Sequence, residues 1–460
     1  MKRMKYYALA AVLLLCGMGV TTSCGVDDNP VEPSPEEQEA TANRNELVRH
    51  MEDDARTMAD LFNTESLNVA SQAYEQLLAL MESDVRFLAN MRVVTSTVSQ
   101  KKALLSISPV EAGSELARMG YLLYITMDNS GFGIRVVFDG KGGCRLLSAN
   151  NMEFIFPADI KGIGYTLFKL VIKDSDDYYL SVADANIPNM NRVVSVNRFP
   201  RSLTMTLTGF IDNREVTLSE TVVGLELPQD EQSAYVSFDA KSFRLTGRQH
   251  NYPVTGNESN LDFSLLLNQD DMTLAYGYSS DGVSVVDCEA QLKLAQQKGF
   301  LSQMSGNALN VADLKAVSIR LLDDLTLTGT ISDGASFAQD FATAIKNRQQ
   351  VSSSDILAGI AESLNQSSNW QLSCEQMTKP EVVGFCVTQK DGNYVIEPAL
   401  KDLETGNALI PISQILDAPA MTGFEKPFSQ SFTPGGNAAG SALKFYSVFM
   451  QMMPLTNLKK

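Results

Sequence analysis

From about Tyr121 onward the apolar residues recur at every second position, and short polar turns interrupt the recurrence. In Leu203-Thr-Met-Thr-Leu-Thr-Gly-Phe-Ile211 the odd positions are mainly apolar and most even ones carry Thr. Successive side chains of a strand point to opposite faces, so this pattern requires one buried and one wet face. Asp212-Asn213 turns the chain into a second such run at 214–227, and Asp139-Gly140 links 132–138 to 143–147 as a hairpin signal. Further strands are predicted at 178–182, 234–238, 242–246, 261–267, 272–278 and 283–288, with turns at Gln269-Asp270-Asp271 and Ser280-Asp281-Gly282. Strands this frequent, joined by hairpin-length turns, make a largely antiparallel sheet.

Ahead of the strands the period is helical. Leu47, Met51, Ala55, Met58, Leu61 and Phe62 step by three and four, and the stripe breaks at Asn63-Thr64. Ser66 is a suitable N-cap for a second stripe through Tyr74, Leu77, Leu78, Met81, Val85, Leu88 and Met91. These two amphipathic helices must bury their apolar faces against each other or against the sheet. Their methionines read as core packing before they read as an adaptable groove. A short helix is predicted at 110–119, and helical periodicity returns at 289–297, 335–348 and 354–365, the last with Asp355 in its first turn. Strands resume at 370–374, 382–388 and 394–397. Residues 405–440 read as loop, and 441–453 as a buried apolar stretch.

The expected class is α+β: an N-terminal amphipathic helical pair packed with a large, mainly antiparallel β-sheet region, and further helices around 289–365. The expected divisions are a leader at 1–23, a tether at 24–44, a helical segment at 45–120, a β-rich domain at 121–288 and a mixed region at 289–460. One internal echo appears. Leu207-Thr-Gly209, Leu245-Thr-Gly247 and Leu327-Thr-Gly329 share three residues, which either duplication or chance alternation produces.

The first residues give an address. Lys2, Arg3 and Lys5 precede an apolar run from Tyr6 to Val20. That run is about 15 residues long, short of the roughly 20 needed to span a bilayer core. A cleaved signal peptide fits it. Cys16 lies inside the run behind bulky Leu15, whereas Cys24 has Ser23 before it and Gly25 after it, so Cys24 is the expected lipidation site. Ser23-Cys24 followed by Asp27 and Asp28 resembles the leaders of Bacteroidota surface lipoproteins. The resemblance covers only the first thirty or so residues. It implies acyl chains on Cys24, anchoring in the outer membrane, and Asp27 and Asp28 as the signal that sends the protein to the cell surface. Pro30, Pro33, Pro35 and the acidic run from Glu36 to Glu39 then read as a disordered spacer.

Charge excludes more than it assigns. The formal net charge is -17, more negative once the basic leader is removed, and such a surface repels nucleic acid and anionic headgroups. No catalytic residue, cofactor or metal site is nominated. His50 and His250 are the only histidines; the first reads as lying on the polar side of a helix and the second in a loop, and neither has metal-ligand spacing. Asp174-Ser-Asp-Asp177 fails as an EF-hand because Tyr179 and Ala185 stand where Gly and Glu are required. Gly435 to Ser441 lacks the lysine of a phosphate loop. Tyr276 and Tyr278 share one strand face and could stack on a sugar, although Met272 and Leu274 on that face favour core packing. Cys374 and Cys386 flank a turn at Lys379-Pro380 and could pair across strands; buried free thiols are the competing account. The reading is a lipid-anchored binding, adhesion or assembly component with an extracellular ligand or protein partner. Its alternatives are a carboxylate-dependent glycan hydrolase and a carrier of an apolar ligand.

Overall fold

Alternation on this scale gives sheet, and the computed structural model is mostly β-sheet with a few helices. It describes residues 35–61, 65–83, 133–141, 143–174, 178–185, 193–227, 242–254, 257–295, 311–337, 339–340, 354–390, 393–403 and 408–416. Cys24, Asp27 and Asp28 lie outside these residues, as do the segments 110–119, 175–177, 234–238 and 435–453.

The two helical stripes form α1 (Pro35–Leu61) and α2 (Glu65–Ser83). Leu47, Met51, Ala55 and Met58 of α1 are buried, as are Ala73, Tyr74, Leu77, Leu78 and Met81 of α2. The start of α1 corrects the expected tether, which composition extends to residue 44. Proline fits the first helical turn because its missing N–H needs no partner there, and Glu36 and Glu39 sit near the positive end of the helix dipole. An acidic, proline-led stretch therefore starts a helix here.

The described elements form two compact units, and the boundary passes between α1 and α2. One unit holds α2 with β1 (Gly133–Phe138), β2 (Cys144–Ala149), β3 (Met152–Ile160), β4 (Gly164–Asp174), β5 (Tyr178–Ala185) and β6 (Val193–Pro200). It also holds β7 (Ser202–Ile211), β8 (Arg214–Glu226), β9 (Ser242–Asn251) and β10 (Ser259–Asn268). Its strands lie in the order β10-β9-β8-β7-β4-β3-β1-β2, and β5 and β6 make a separate pair. Strand β1 runs parallel to β3, whereas β3-β4, β4-β7, β7-β8 and β8-β9 are antiparallel. Helix α2 covers β3, β8 and β9. Phe154, Phe156 and Phe168 fill the core, the last two with ring centroids 5.8 Å apart.

The other unit holds α1 with β11 (Asp271–Ser280), β12 (Val283–Leu294), β13 (Val311–Leu321), β14 (Leu325–Ile331) and α3 (Ser354–Ser367). β15 (Ser368–Ser373), β16 (Glu381–Lys390), β17 (Asn393–Lys401), β18 (Leu409–Pro411) and α4 (Ile412–Ile415) complete it. Its strands follow sequence order from β11 to β18. Helix α1 packs on β12 and β14, and α3 packs on β15, β16 and β17 through Leu357, Ala361 and Leu364. Trp370 is buried between Phe337 and Phe385, at centroid distances of 5.9 and 6.4 Å.

Three expectations change. Residues 289–294 belong to β12 and not to a helix, because Ala290, Leu292 and Leu294 alternate inward with exposed Glu289, Gln291 and Lys293. Strand β9 continues through the predicted loop as far as Asn251. The Leu-Thr-Gly echo also has a structural cause. Gly209, Gly247 and Gly329 each stand directly across from an aromatic of the neighbouring strand, Phe168, Phe263 and Trp370. At Gly247 and Gly329 the ring lies where a Cβ would go, at 1.9 and 2.4 Å, and at Gly209 it stands 3.1 Å from that point. Aromatic cover of a strand glycine is a recurring stabilising pair.

Candidate metal centre

Helix α1 carries Glu46, His50 and Asp54 at steps of four, which places them on one face. The β13–β14 turn and the segment after β15 supply Asp324 and Cys374 to that face. The turn is tight: Leu322 and Asp323 both hold positive φ, 51° and 59°, immediately before Asp324. A leucine in this region is uncommon, and such strain marks positions fixed by their surroundings.

His50 Nδ1 is hydrogen-bonded to Asp324 Oδ2. The other ring nitrogen, Nε2, lies 2.8 Å from Arg49 Nη2 and 3.2 Å from Glu46 Oε1. Asp324 Oδ1 accepts the backbone N–H of Glu375 at 3.2 Å, so one carboxylate joins α1 to the segment that carries Cys374. One ring nitrogen of His50, one carboxylate oxygen of Asp324 and Cys374 Sγ all lie within 4.8 Å of one another. Only 12% of the His50 side chain is exposed, so it is not the surface histidine its helix position implies.

Two neighbours complete the electrostatics. Asp54 is nine-tenths buried, and its Oδ2 has no hydrogen-bond partner. Burial, then the negative charge of Asp324, pushes its pKa up to about 7, with His50 pulling the other way. Burial also raises the Cys374 thiol; Asp324 adds to the rise, and the backbone N–H groups of Gln376 and Met377 oppose it. A thiol held up in this way is not an activated nucleophile. Imidazole, carboxylate and thiol around one point instead make a set of metal-ligating groups.

The residues singled out from sequence lie elsewhere. Tyr278 is 2% exposed, and burial pushes the Tyr276 hydroxyl pKa well up, so the pair offers no two-ring platform for a sugar. Cys374 and Cys386 are both free. The β15–β16 register pairs Leu372 with Glu381 and Trp370 with Val383, which puts the two cysteines toward opposite ends of the strand pair. Seven strand positions amount to about 20 Å, far beyond disulfide reach. His250 lies on β9, where Nδ1 is 2.7 Å from Asn260 Oδ1 and the ring meets Tyr252 edge-on. Sequence reasoning missed His50, Asp324, Cys374 and Asp54 as a group. Its one available signal is the four-residue spacing of Glu46, His50 and Asp54, since Asp324 lies 274 positions from His50.

An apolar cavity of about 10 Å³ lies among Leu327, Trp370, Leu372, Val383, Phe385, Pro398 and Ile412. It is a packing gap, since drug-sized ligands need roughly 300 Å³ or more. No family model matches the sequence, no curated protein matches it, and no solved structure matches the fold.

Proposed function

We propose that this chain is an outer-membrane lipoprotein, anchored through Cys24 and exposed at the cell surface, that binds a ligand or protein partner and does not catalyse. The observation that carries this reading is Ser23-Cys24 at the end of the basic and apolar leader, with Asp27 and Asp28 following after Gly25 and Val26. Several acyl chains on one cysteine give a durable anchor, because each buried CH₂ contributes about 0.8 kcal/mol.

The folded part supports binding more than chemistry. Tyr165 and Leu167 on β4 and Phe210 on β7 are 73%, 50% and 52% exposed. Leu167 and Phe210 each adjoin the cross-strand pair Phe168–Gly209, so their side chains share its outward face. Neighbouring exposed apolar groups of this size are a common feature of interaction surfaces. Hydrolysis would need two acids that a polymer can reach. Asp54 and Asp324 are near enough to interact, but the burial of Asp54 keeps it from such a substrate.

Fatty-acid labelling of cells producing Cys24→Ala tests the anchor. The expected outcome is loss of covalent lipid and recovery of the variant in the soluble fraction. Label still incorporated into Cys24→Ala would remove the basis of the reading.

A further inference from the structure

We propose that His50 Nδ1, Asp324 Oδ2, Cys374 Sγ and Asp54 Oδ2 form a structural zinc site that ties α1 to the β13–β14 turn and the segment after β15. The inference does not depend on the lipoprotein reading. His50, Asp324 and Cys374 each place one ligand atom within 4.8 Å of the others. Tetrahedral zinc with bonds of about 2.0–2.3 Å sets its ligands roughly 3.5 Å apart, so small movements of these three side chains seat the ion, and Asp54, which stands outside the 4.8 Å group, swings in as the fourth ligand. Asp54 supplies the independent pointer to a cation. It stands one helical turn from His50, its Oδ2 is buried without a partner, and its charge interacts with both His50 and Asp324. A carboxylate oxygen left bare in that position lacks a positive partner, and a bound cation provides one.

The surrounding groups suit a metal bound on Nδ1. A ligating histidine donates its second N–H to a carboxylate, and Glu46 Oε1 lies 3.2 Å from Nε2. Binding then moves the ring proton from Nδ1, where it now serves Asp324, to Nε2, where it serves Glu46. Arg49, whose side chain is half-exposed, gives up its contact with Nε2 and keeps its pairing with Glu46 at 2.5 Å. As the metal–sulfur bond forms, the Cys374 S–H bond breaks and its proton passes to solvent. Thiolate, imidazole and carboxylate together favour zinc over the hard cations calcium and magnesium, which take oxygen ligands. Four protein ligands leave no open position, so the role is structural.

The test uses the full chain in detergent, stripped with chelator and titrated with cobalt(II) and then with zinc. Cobalt bound as proposed gives a sulfur-to-metal charge-transfer band and the visible absorption of a tetrahedral site, both displaced by zinc at one ion per chain. Cys374→Ser is expected to abolish the charge-transfer band. Glu46→Gln, which leaves every ligand in place, is expected to keep the band and weaken affinity about 10- to 100-fold. Zinc should also raise the thermal midpoint of the wild type and not that of Asp54→Asn. An absent band in the wild type, or a band unchanged in Cys374→Ser, would overturn the proposal. Should Cys374→Ser fail to fold, unaltered affinity in Glu46→Gln with unaltered zinc stabilisation in Asp54→Asn overturns it instead.

Discussion

Gly329 shows how one missing side chain can hold a core together. The ring of Trp370 occupies the space over it, and Trp370 is itself fixed by Phe337 and Phe385 and by its indole N–H, which donates to Ser368 Oγ at 2.8 Å. A Cβ at 329 meets three ring atoms at 2.4 to 2.6 Å, so the ring or the backbone must shift to admit it. Overpacking of this kind costs about 1–3 kcal/mol, more than the roughly 0.4–1 kcal/mol gained by removing a glycine from the unfolded chain. Gly209 differs: its nearest neighbours, in Phe168 and Leu218, begin at 3.1 Å, a gap that a shift of a few tenths of an ångström relieves. Gly329→Ala is therefore expected to destabilise by about 1–3 kcal/mol and Gly209→Ala by under about 1 kcal/mol. Urea unfolding midpoints of the two variants measure the difference. Equal losses would show that the aromatic cover is incidental.

At the scale of elements, what fastens a helix to its sheet was less legible than the helix itself. The three- and four-residue steps in α1 and α2 mark the residues that are buried, and alternation marks β7, β8 and β10 through β12. Residues 289–294 misled because Glu, Ala, Gln, Leu and Lys favour helix while their alternation matches strand, and pairing with β11 and β13 decided the outcome. Strand β3 was hidden by Pro157, which lies beyond the Glu153–Ile155 stretch that pairs with β1. The fastening of α1 depends on Arg44, 337 positions from its partner. Its guanidinium donates to both oxygens of Glu381, at 3.2 and 2.9 Å, and to the Lys401 carbonyl at 2.8 Å. No local pattern foretells such a pair. Both side chains are almost fully buried, so deleting one partner strands the other. Glu381→Ala is expected to cost about 3 kcal/mol, whereas Arg44→Met with Glu381→Leu should lie within about 1 kcal/mol of the wild type. Denaturant unfolding of the two proteins tests this, and a double variant as unstable as the single would refute it.

At the scale of the whole molecule, the position of α1 bears on the proposed lipid anchor. With the helix starting at Pro35, positions 25–34 lie between Cys24 and the first described element. A fully flexible chain of that length has a root-mean-square span of only roughly 17 Å. Glu36 and Glu39, which composition assigns to a solvating spacer, now belong to the first turns of a helix. That removes them as equivalents of Asp27 and Asp28 and sharpens the choice between two roles for the aspartates. As an export signal, they are read beside the acylated cysteine, before any folded surface is presented. As solvating charges, they matter only through their number. Asp27→Ala/Asp28→Ala separates these accounts on whole cells. Under the export reading the variant keeps its lipid but becomes inaccessible to added protease. Under the solvation reading accessibility does not change, and Asp27→Glu/Asp28→Glu behaves like the wild type. Surface shaving followed by immunoblotting measures both. Full protease sensitivity in the lipidated double alanine variant would defeat the export role while leaving the anchor at Cys24 standing.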